Sequence, residues 1–232
     1  MHRLPWHTID HLLLDLDGTL LDLHFDNHFW REHVPLRYAE HHGMEVAQAR
    51  DRLIPLFRST EGTMQWYCVD YWSKVLDLDI ARLKAEVDHL IAVHPHVTDF
   101  LEAARAAGKH ILLVTNAHHK ALELKLRKTR LGRHFDRVIC SHEFGRPKED
   151  PAFWHWLKRR EPFDPQRSLF IDDSLPVLRT AAACGIRHLL AVRRPDSREP
   201  VRDTQEFAAI DNFAPLAEQL RRLSPTHSPP RR

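Results

Sequence analysis

Apolar residues fall in short unbroken runs along the chain: HLLLDL at 11–16, HILLVT at 110–115, RVIC at 137–140, SLFID at 168–172 and RHLLAV at 187–192. Runs this short, with no polar alternation, predict strands buried on both faces of a parallel sheet. Between them apolar positions recur at helical spacing, over 97–107 up to Gly108, over 119–130 up to Gly132 and over 175–184 up to Gly185. Each glycine stands where a left-handed C-cap ends a helix. Strand and helix in alternation imply an α/β fold with a doubly wound, Rossmann-like, mostly parallel sheet, whose ligands bind at the carboxyl ends of the strands.

The segment 25–92 breaks that rhythm, because it holds no strand-like run and reads as consecutive helices. Trp30, Val34, Arg37 and Tyr38 predict one of them, and Trp66, Val69, Asp70, Tyr71 and Trp72 another. The HPHV stretch at 94–97 marks the return to the sheet, since a proline disfavours helix at the residue before it. The expected organisation is a core over 1–24 and 93–223, a helical insert over 25–92, and a disordered proline-rich tail, SPTHSPPRR, over 224–232.

Composition narrows the classes. With 43% apolar and 28% charged residues the chain reads as an ordinary globular protein. Its 34 lysines and arginines against 32 acids leave no excess charge for a nucleic-acid or membrane partner, so a small ligand is expected. Three widely spaced cysteines without a CxxC pair fit a reducing cytoplasm and suggest neither redox centre nor zinc site. The first apolar run is broken at once by aspartates, which excludes a secretory segment or membrane span there. Of 19 histidines, the close pairs His41-His42 and His118-His119 lack a HExxH arrangement and read as solvated surface. The mixed-charge stretch 193–203 is read the same way.

The candidate chemistry lies at the ends of the apolar runs. LLLDLDGTLLD places Asp15 and Asp17 two apart, where an extended chain can turn them to one side and Gly18 permits the turn. Carboxylates so close repel, which a bound cation or a shared proton would relieve; the plain alternative, a solvated loop, leaves the three preceding leucines unexplained. ILLVTNA ends in Thr115 and Asn116, donors suited to phosphate or to an ordinary N-cap. GRPKEDP presents Lys148 between prolines, and SLFIDDS closes a strand with Asp172 and Asp173, costly neighbours unless something positive sits there. The seven glycines are scattered and no GxxxxGK[ST] occurs, which excludes a Walker-type nucleotide site.

Acid pair, hydroxyl, lysine and second acid pair, in that order over 11–192, resemble the four signature motifs of the haloacid dehalogenase superfamily. The resemblance implies a Mg²⁺-dependent phosphatase with Asp15 as the nucleophile that takes the phosphoryl group and Asp17 as the acid and base. It implies that Thr115, Asn116 and Lys148 bind the phosphoryl oxygens. Asp15, the Asp17 carbonyl, Asp173 and Asp172 would hold the cation. Where many members carry a further acid after the last motif, Leu175, Pro176 and Val177 follow here. The second aspartate favours phosphoryl over carbon chemistry within that superfamily. The insert is similar to the cap that selects substrates.

Within the superfamily, LLDLHFDNHFW at 20–30 and QWYCVDYW at 65–72 resemble the bacterial GMP/IMP nucleotidases. That likeness implies a purine 5'-nucleotidase, with Trp66, Tyr67 or Phe29 as candidate stacking partners for the base and Asp26 and Asn27 as candidate substrate contacts. The aromatic residues would equally form the insert's own core, and Asp26 or Asn27 an N-cap. A phosphoglycolate or sugar-phosphate phosphatase, a phosphomutase, and a non-catalytic binding module on the same fold stand as alternatives.

Overall fold

The computed structural model describes residues 3–223, so the tail predicted over 224–232 lies outside the described residues. Its sheet has six strands: β1 (His11–Leu14), β2 (His110–Thr115), β3 (Arg137–Cys140), β4 (Ser168–Asp172), β5 (His188–Val192) and β6 (Ala209–Ile210). They lie in the order β3-β2-β1-β4-β5-β6, and every pairing is parallel. The chain winds outward from β1 through β2 to β3, then returns to the other side of β1 with β4. Asp15 and Asp172 therefore end neighbouring strands at the point where the winding reverses, the place where α/β sheets bind ligands.

Period-two alternation divides the strand side chains between two faces. Leu12 and Leu14 face one hydrophobic cluster with Ile111, Leu113, Leu169 and Ile171. Leu13 faces the other with Leu112, Val114, Ile139 and Phe170. Helices α1 (His24–His28), α2 (Val34–His42), α3 (Val46–Thr60), α4 (Met64–Tyr67), α5 (Val69–Leu76) and α6 (Ile80–Glu86) come between β1 and β2. They are followed by α7 (Val97–Ala106), α8 (His119–Thr129), α9 (Pro151–Arg160), α10 (Leu175–Ala183) and α11 (Ala214–Arg221). The first face is covered by α7, α8 and α11, through Phe100, Leu122 and Leu216 among others. The second is covered by α9 and α10, through Phe153, Trp154, Val177 and Leu178. Among the described residues no helix is long and apolar enough to cross a membrane.

Residues 24–90 form helices joined by short links with no strand among them, and their apolar side chains, Phe29, Leu53 and Trp72 included, join the first cluster. Three details differ from the sequence reading. The left-handed cap of α8 is Arg130, at φ 57°, rather than Gly132. The helix expected around Trp30 to Tyr38 passes through a π-turn at Phe29–His33 before α2 begins, with Pro35 in the first turn of α2. A proline has no N–H to give to the preceding turn, so the regular ladder cannot run through it. The helix expected over 66–72 is two helices, α4 and α5, because Cys68 is extended at φ −86° and ψ 108°. Its sulfur accepts the Tyr71 N–H at 3.4 Å and so caps the second piece.

Candidate active site

The turn after β1 places the first acid. The Asp15 N–H still bonds the Ile171 carbonyl at 3.0 Å, after which the Leu20 and Leu21 N–H groups fold back onto the Leu16 carbonyl. Gly18 takes φ +86°, and a Cβ built there would stand 2.6 Å from an Asp173 carboxylate oxygen. Gly18→Ala is therefore expected to cost roughly 1–2 kcal/mol in backbone strain and to displace Asp173. Because Asp173 is a candidate cation ligand, the half-saturating Mg²⁺ concentration should also rise, by about 10–100-fold. A Mg²⁺ titration of activity and a thermal melt read the two effects separately.

Lys148 joins three elements. Its ammonium lies 2.5 Å from Asp15 Oδ1, 2.6 Å from Asp172 Oδ2 and 3.1 Å from the Val114 carbonyl, and the residue is 2% exposed. Burial alone would favour its neutral form, but Asp15 and Asp172 outweigh it and raise its pKa above the ordinary lysine value. Its N–H donates to Asn116 Oδ1 at 2.9 Å, and the Asn116 amide donates to Glu149 Oε2 at 3.0 Å. Both ends of that amide hold the 148–149 turn in register with β2. The buried Thr115 hydroxyl accepts the Ala117 N–H at 3.0 Å and keeps its own proton for another acceptor. Asp172 Oδ1 accepts the Ser174 N–H at 2.8 Å.

The acids outnumber the cations that face them. Burial and the charge of Asp15 push Asp172 up to about 7 against the pull of Lys148. Burial and the charges of Asp172 and Asp15 push Asp173 well above the carboxylate range, with Arg202 only 3.6 Å away as a partial counterweight. Carboxylate oxygens of Asp15, Asp172 and Asp173 lie within 4.8 Å of one another, and the buried Asp15 Oδ2 has no hydrogen-bond partner. Several carboxylate oxygens around one point, one of them orphaned, match what a hard divalent cation requires, so the residues present fit Mg²⁺.

Asp17 is not one of that group. Its carboxylate pairs with Lys125 at 2.7 Å, Lys125 reaches Asp26 at 2.7 Å, and Asp26 reaches Lys84 at 2.8 Å. Burial, with the charges of Asp26 and Asp15, pushes Asp17 up to about 6 against Lys125, a range in which a carboxyl both gives and takes a proton near neutrality. Burial works against the charge of Asp26 too, but Lys125 and Lys84 prevail and hold it below the usual range. Lys84 also stands over the rings of Phe29 at 4.3 Å and Phe25 at 5.0 Å.

The remaining insert residues singled out in the sequence lie in different places. The Asn27 amide donates to the buried Asp196 at 2.7 Å. Trp66 packs among Trp30, Phe57 and Trp72 with centroids 6.3–6.4 Å apart. The Tyr67 hydroxyl donates to Glu149 at 2.6 Å, which ties it to the Asn116–Lys148 arrangement. Most of 193–203 is exposed as read, except that Asp196 is 2% exposed and Arg202 faces Asp173. Lys84, Lys125, Glu149 and Arg202 are the neighbours of this site that the motifs did not reveal. The two lysines carried a signal, since each falls four residues after an apolar position on its helix, Ile80 and Ala121, and so on the buried stripe.

The family model described as haloacid dehalogenase-like hydrolase matches residues 9–185. The GMP/IMP nucleotidase YrfG of Escherichia coli (strain K12) is 38% identical over 221 residues, covering 95% of this chain and 100% of that protein. Phosphoglycolate phosphatase 1 of Pseudomonas aeruginosa is 26% identical over 132 residues, 57% of this chain and 48% of that protein. Among solved structures, a phosphatase of the same superfamily from Thermococcus onnurineus superposes with a TM-score of 0.75 at 23% identity, over 93% of this chain and 97% of that one.

Proposed function

The chain belongs to the haloacid dehalogenase-like hydrolases, and from that membership we propose that it is a Mg²⁺-dependent phosphomonoesterase acting on purine nucleoside 5'-monophosphates, GMP and IMP foremost. One observation carries the catalytic half: Asp15, Lys148 and Asp172 converge on a buried point at the switch of the sheet. The substrate half rests on the identity to a GMP/IMP nucleotidase over 95% of the chain.

In this reading an Asp15 carboxylate oxygen attacks phosphorus, a new P–O bond forms, and the ester P–O bond breaks. Asp17 gives its proton to the leaving nucleoside oxygen. Asp17 then takes a proton from water, whose oxygen displaces Asp15 and releases phosphate. The step is divided into two easier ones by the covalent aspartyl phosphate. Lys148 lowers the repulsion between carboxylate and phosphate dianion and compensates charge in the transition state. Thr115 offers its free hydroxyl proton to a phosphoryl oxygen, while Asn116 holds Lys148 in position. Asp15, Asp172, Asp173 and the Asp17 carbonyl would hold Mg²⁺, which when bound supplies charge neutralisation at the phosphoryl group. Lys125 keeps Asp17 aimed.

The insert over 25–92 is proposed as the cap that selects the substrate. Of its candidates, Tyr67 is the one whose polar atom meets the Asn116–Lys148 arrangement, and the proposal assigns it the substrate-facing role. Asp26 is engaged by lysines, Asn27 by Asp196 and Trp66 by other rings. The free, well-separated thiols Cys68, Cys140 and Cys184 support a cytoplasmic setting.

Phosphate release from a panel of nucleotides, sugar phosphates and phosphoglycolate tests the proposal. GMP and IMP should exceed the others in kcat/KM by about tenfold or more, the size of effect that one stacking contact of about 1–3 kcal/mol supplies, and a chelator should abolish release from all of them. A preference for phosphoglycolate or a sugar phosphate would leave the chemistry standing and overturn the purine assignment.

A further inference from the structure

Cys68, His118 and His142 are far apart in the sequence, and each has a ligand atom within 4.8 Å of those of the other two. Their elements bring them together. Cys68 is the extended residue that breaks α4 from α5 in the insert. His118 caps α8 just beyond β2, and His142 lies in the turn after β3. His118 is 9% exposed, contrary to the surface position read for it, whereas His41, His42 and His119 are exposed as expected.

The local chemistry is that of a ligand set. His142 Nε2 is buried with no hydrogen-bond partner, and such a nitrogen carries an uncompensated desolvation penalty unless something binds it. The two imidazole rings meet at 4.9 Å and 85°, an arrangement that disfavours a charge on both. His118 Nε2 lies 3.7 Å from an Asp70 carboxylate oxygen, and the long 3.4 Å contact of the Lys120 N–H on Nδ1 would be given up when the ring carries its proton on Nδ1 and offers Nε2 to a cation. The Tyr71 N–H on the Cys68 sulfur is an outer contact of the kind that orients a metal ligand.

We propose that Cys68, His118 and His142 form a binding site for a borderline transition cation, Zn²⁺ above all, that bolts the helical insert to the sheet core. One thiolate and two imidazoles suit Zn²⁺ and leave a fourth position for water beside Asp70. Binding releases the Cys68 thiol proton to solvent. The site is separate from the carboxylate group of Asp15, Asp172 and Asp173, whose oxygen donors suit a hard cation instead. Its ion would lie next in sequence to Tyr67 and two residues from Asn116, both tied to Glu149, so occupancy holds the insert down where it meets the core.

Co²⁺ titration of the purified full chain, with Mg²⁺ present to occupy the carboxylates, tests the site through thiolate-to-cobalt charge transfer. Activity plays no part in this readout, so the site stands or falls independently of the proposed phosphatase reaction. Wild type should develop the band with one equivalent, and Zn²⁺ should bleach it. Cys68→Ser should abolish the band and His142→Gln should weaken Co²⁺ binding by more than the roughly 10–100-fold typical of losing an outer-shell partner. Cys184→Ser should keep it. Circular dichroism reports whether each variant folds, and Zn²⁺ should raise the melting temperature of wild type but not of Cys68→Ser. Absence of the charge-transfer band in wild type, or its survival in folded Cys68→Ser, overturns the proposal.

Discussion

Replacing Asp15 by asparagine is expected to lower phosphate release by roughly 10⁴–10⁶-fold, the loss seen when one member of a catalytic unit is removed, while the protein stays folded. Asparagine has almost the same volume and can still accept the Lys148 bond now made at 2.5 Å. It also removes one of three acids that share Lys148 and the more distant Arg202. What remains is Asp172 paired with Lys148, a balanced pair beside Asp173. The melting temperature without metal should therefore be no lower than that of wild type. Activity and stability move apart, and a colorimetric phosphate assay beside a calorimetric melt records both.

Lys148→Met is expected to move them together. Methionine fills the space but leaves Asp15 and Asp172 buried without the ammonium that now bonds both. Breaking a buried pair from one side costs about 3–5 kcal/mol, and the loss should be largest in metal-free protein. Mg²⁺ should restore part of it, since the cation would bring positive charge to the same oxygens. Activity should still fall by roughly 10²–10³-fold or more, the cost of losing one preorganised group that stabilises transition-state charge. Denaturant melts with Mg²⁺ and with chelator check the first claim, and turnover at saturating Mg²⁺ checks the second.

These two residues show what was legible in the sequence. Each stands at the end of a buried strand or in a proline-framed turn, where apolar runs make a charge conspicuous. Five of the six strands were read from such runs to within about two residues, the usual uncertainty of an element boundary. β6 was missed, because two residues, Ala209 and Ile210, carry no pattern. The break at Cys68 is invisible in the sequence for another reason: Trp66, Val69 and Trp72 keep helical spacing across it, and the turn shows only in the extended Cys68 backbone and its sulfur cap on Tyr71. Lys84 and Lys125 belong to no motif and lysines are mostly exposed, although both fall on apolar stripes. His118 and His142 could not have been paired from spacing at all, since β2 and β3 bring them together only once the sheet forms.

The neighbours of Asp17 follow the same logic. Asp26 of α1, in the segment proposed as the cap, and Lys125 of α8 are brought together by the fold rather than by any local motif. Among the contacts between residues 25–92 and the rest of the chain are this charged chain and the Tyr67–Glu149 bond. Both joints touch groups assigned to the reaction. A change of insert position would therefore be felt at Asp17 and at the Lys148 turn together.

The proposed reaction requires that Asp15 become phosphorylated during turnover. Mixing enzyme with GMP and Mg²⁺, quenching in acid within the first turnover and mapping the protein by mass spectrometry tests it. One phosphoryl group is expected on the peptide that contains Asp15, lost with time as phosphate appears and absent in Asp15→Asn. Steady product formation with no phosphorylated enzyme at any time, together with sustained turnover by Asp15→Asn, would contradict it.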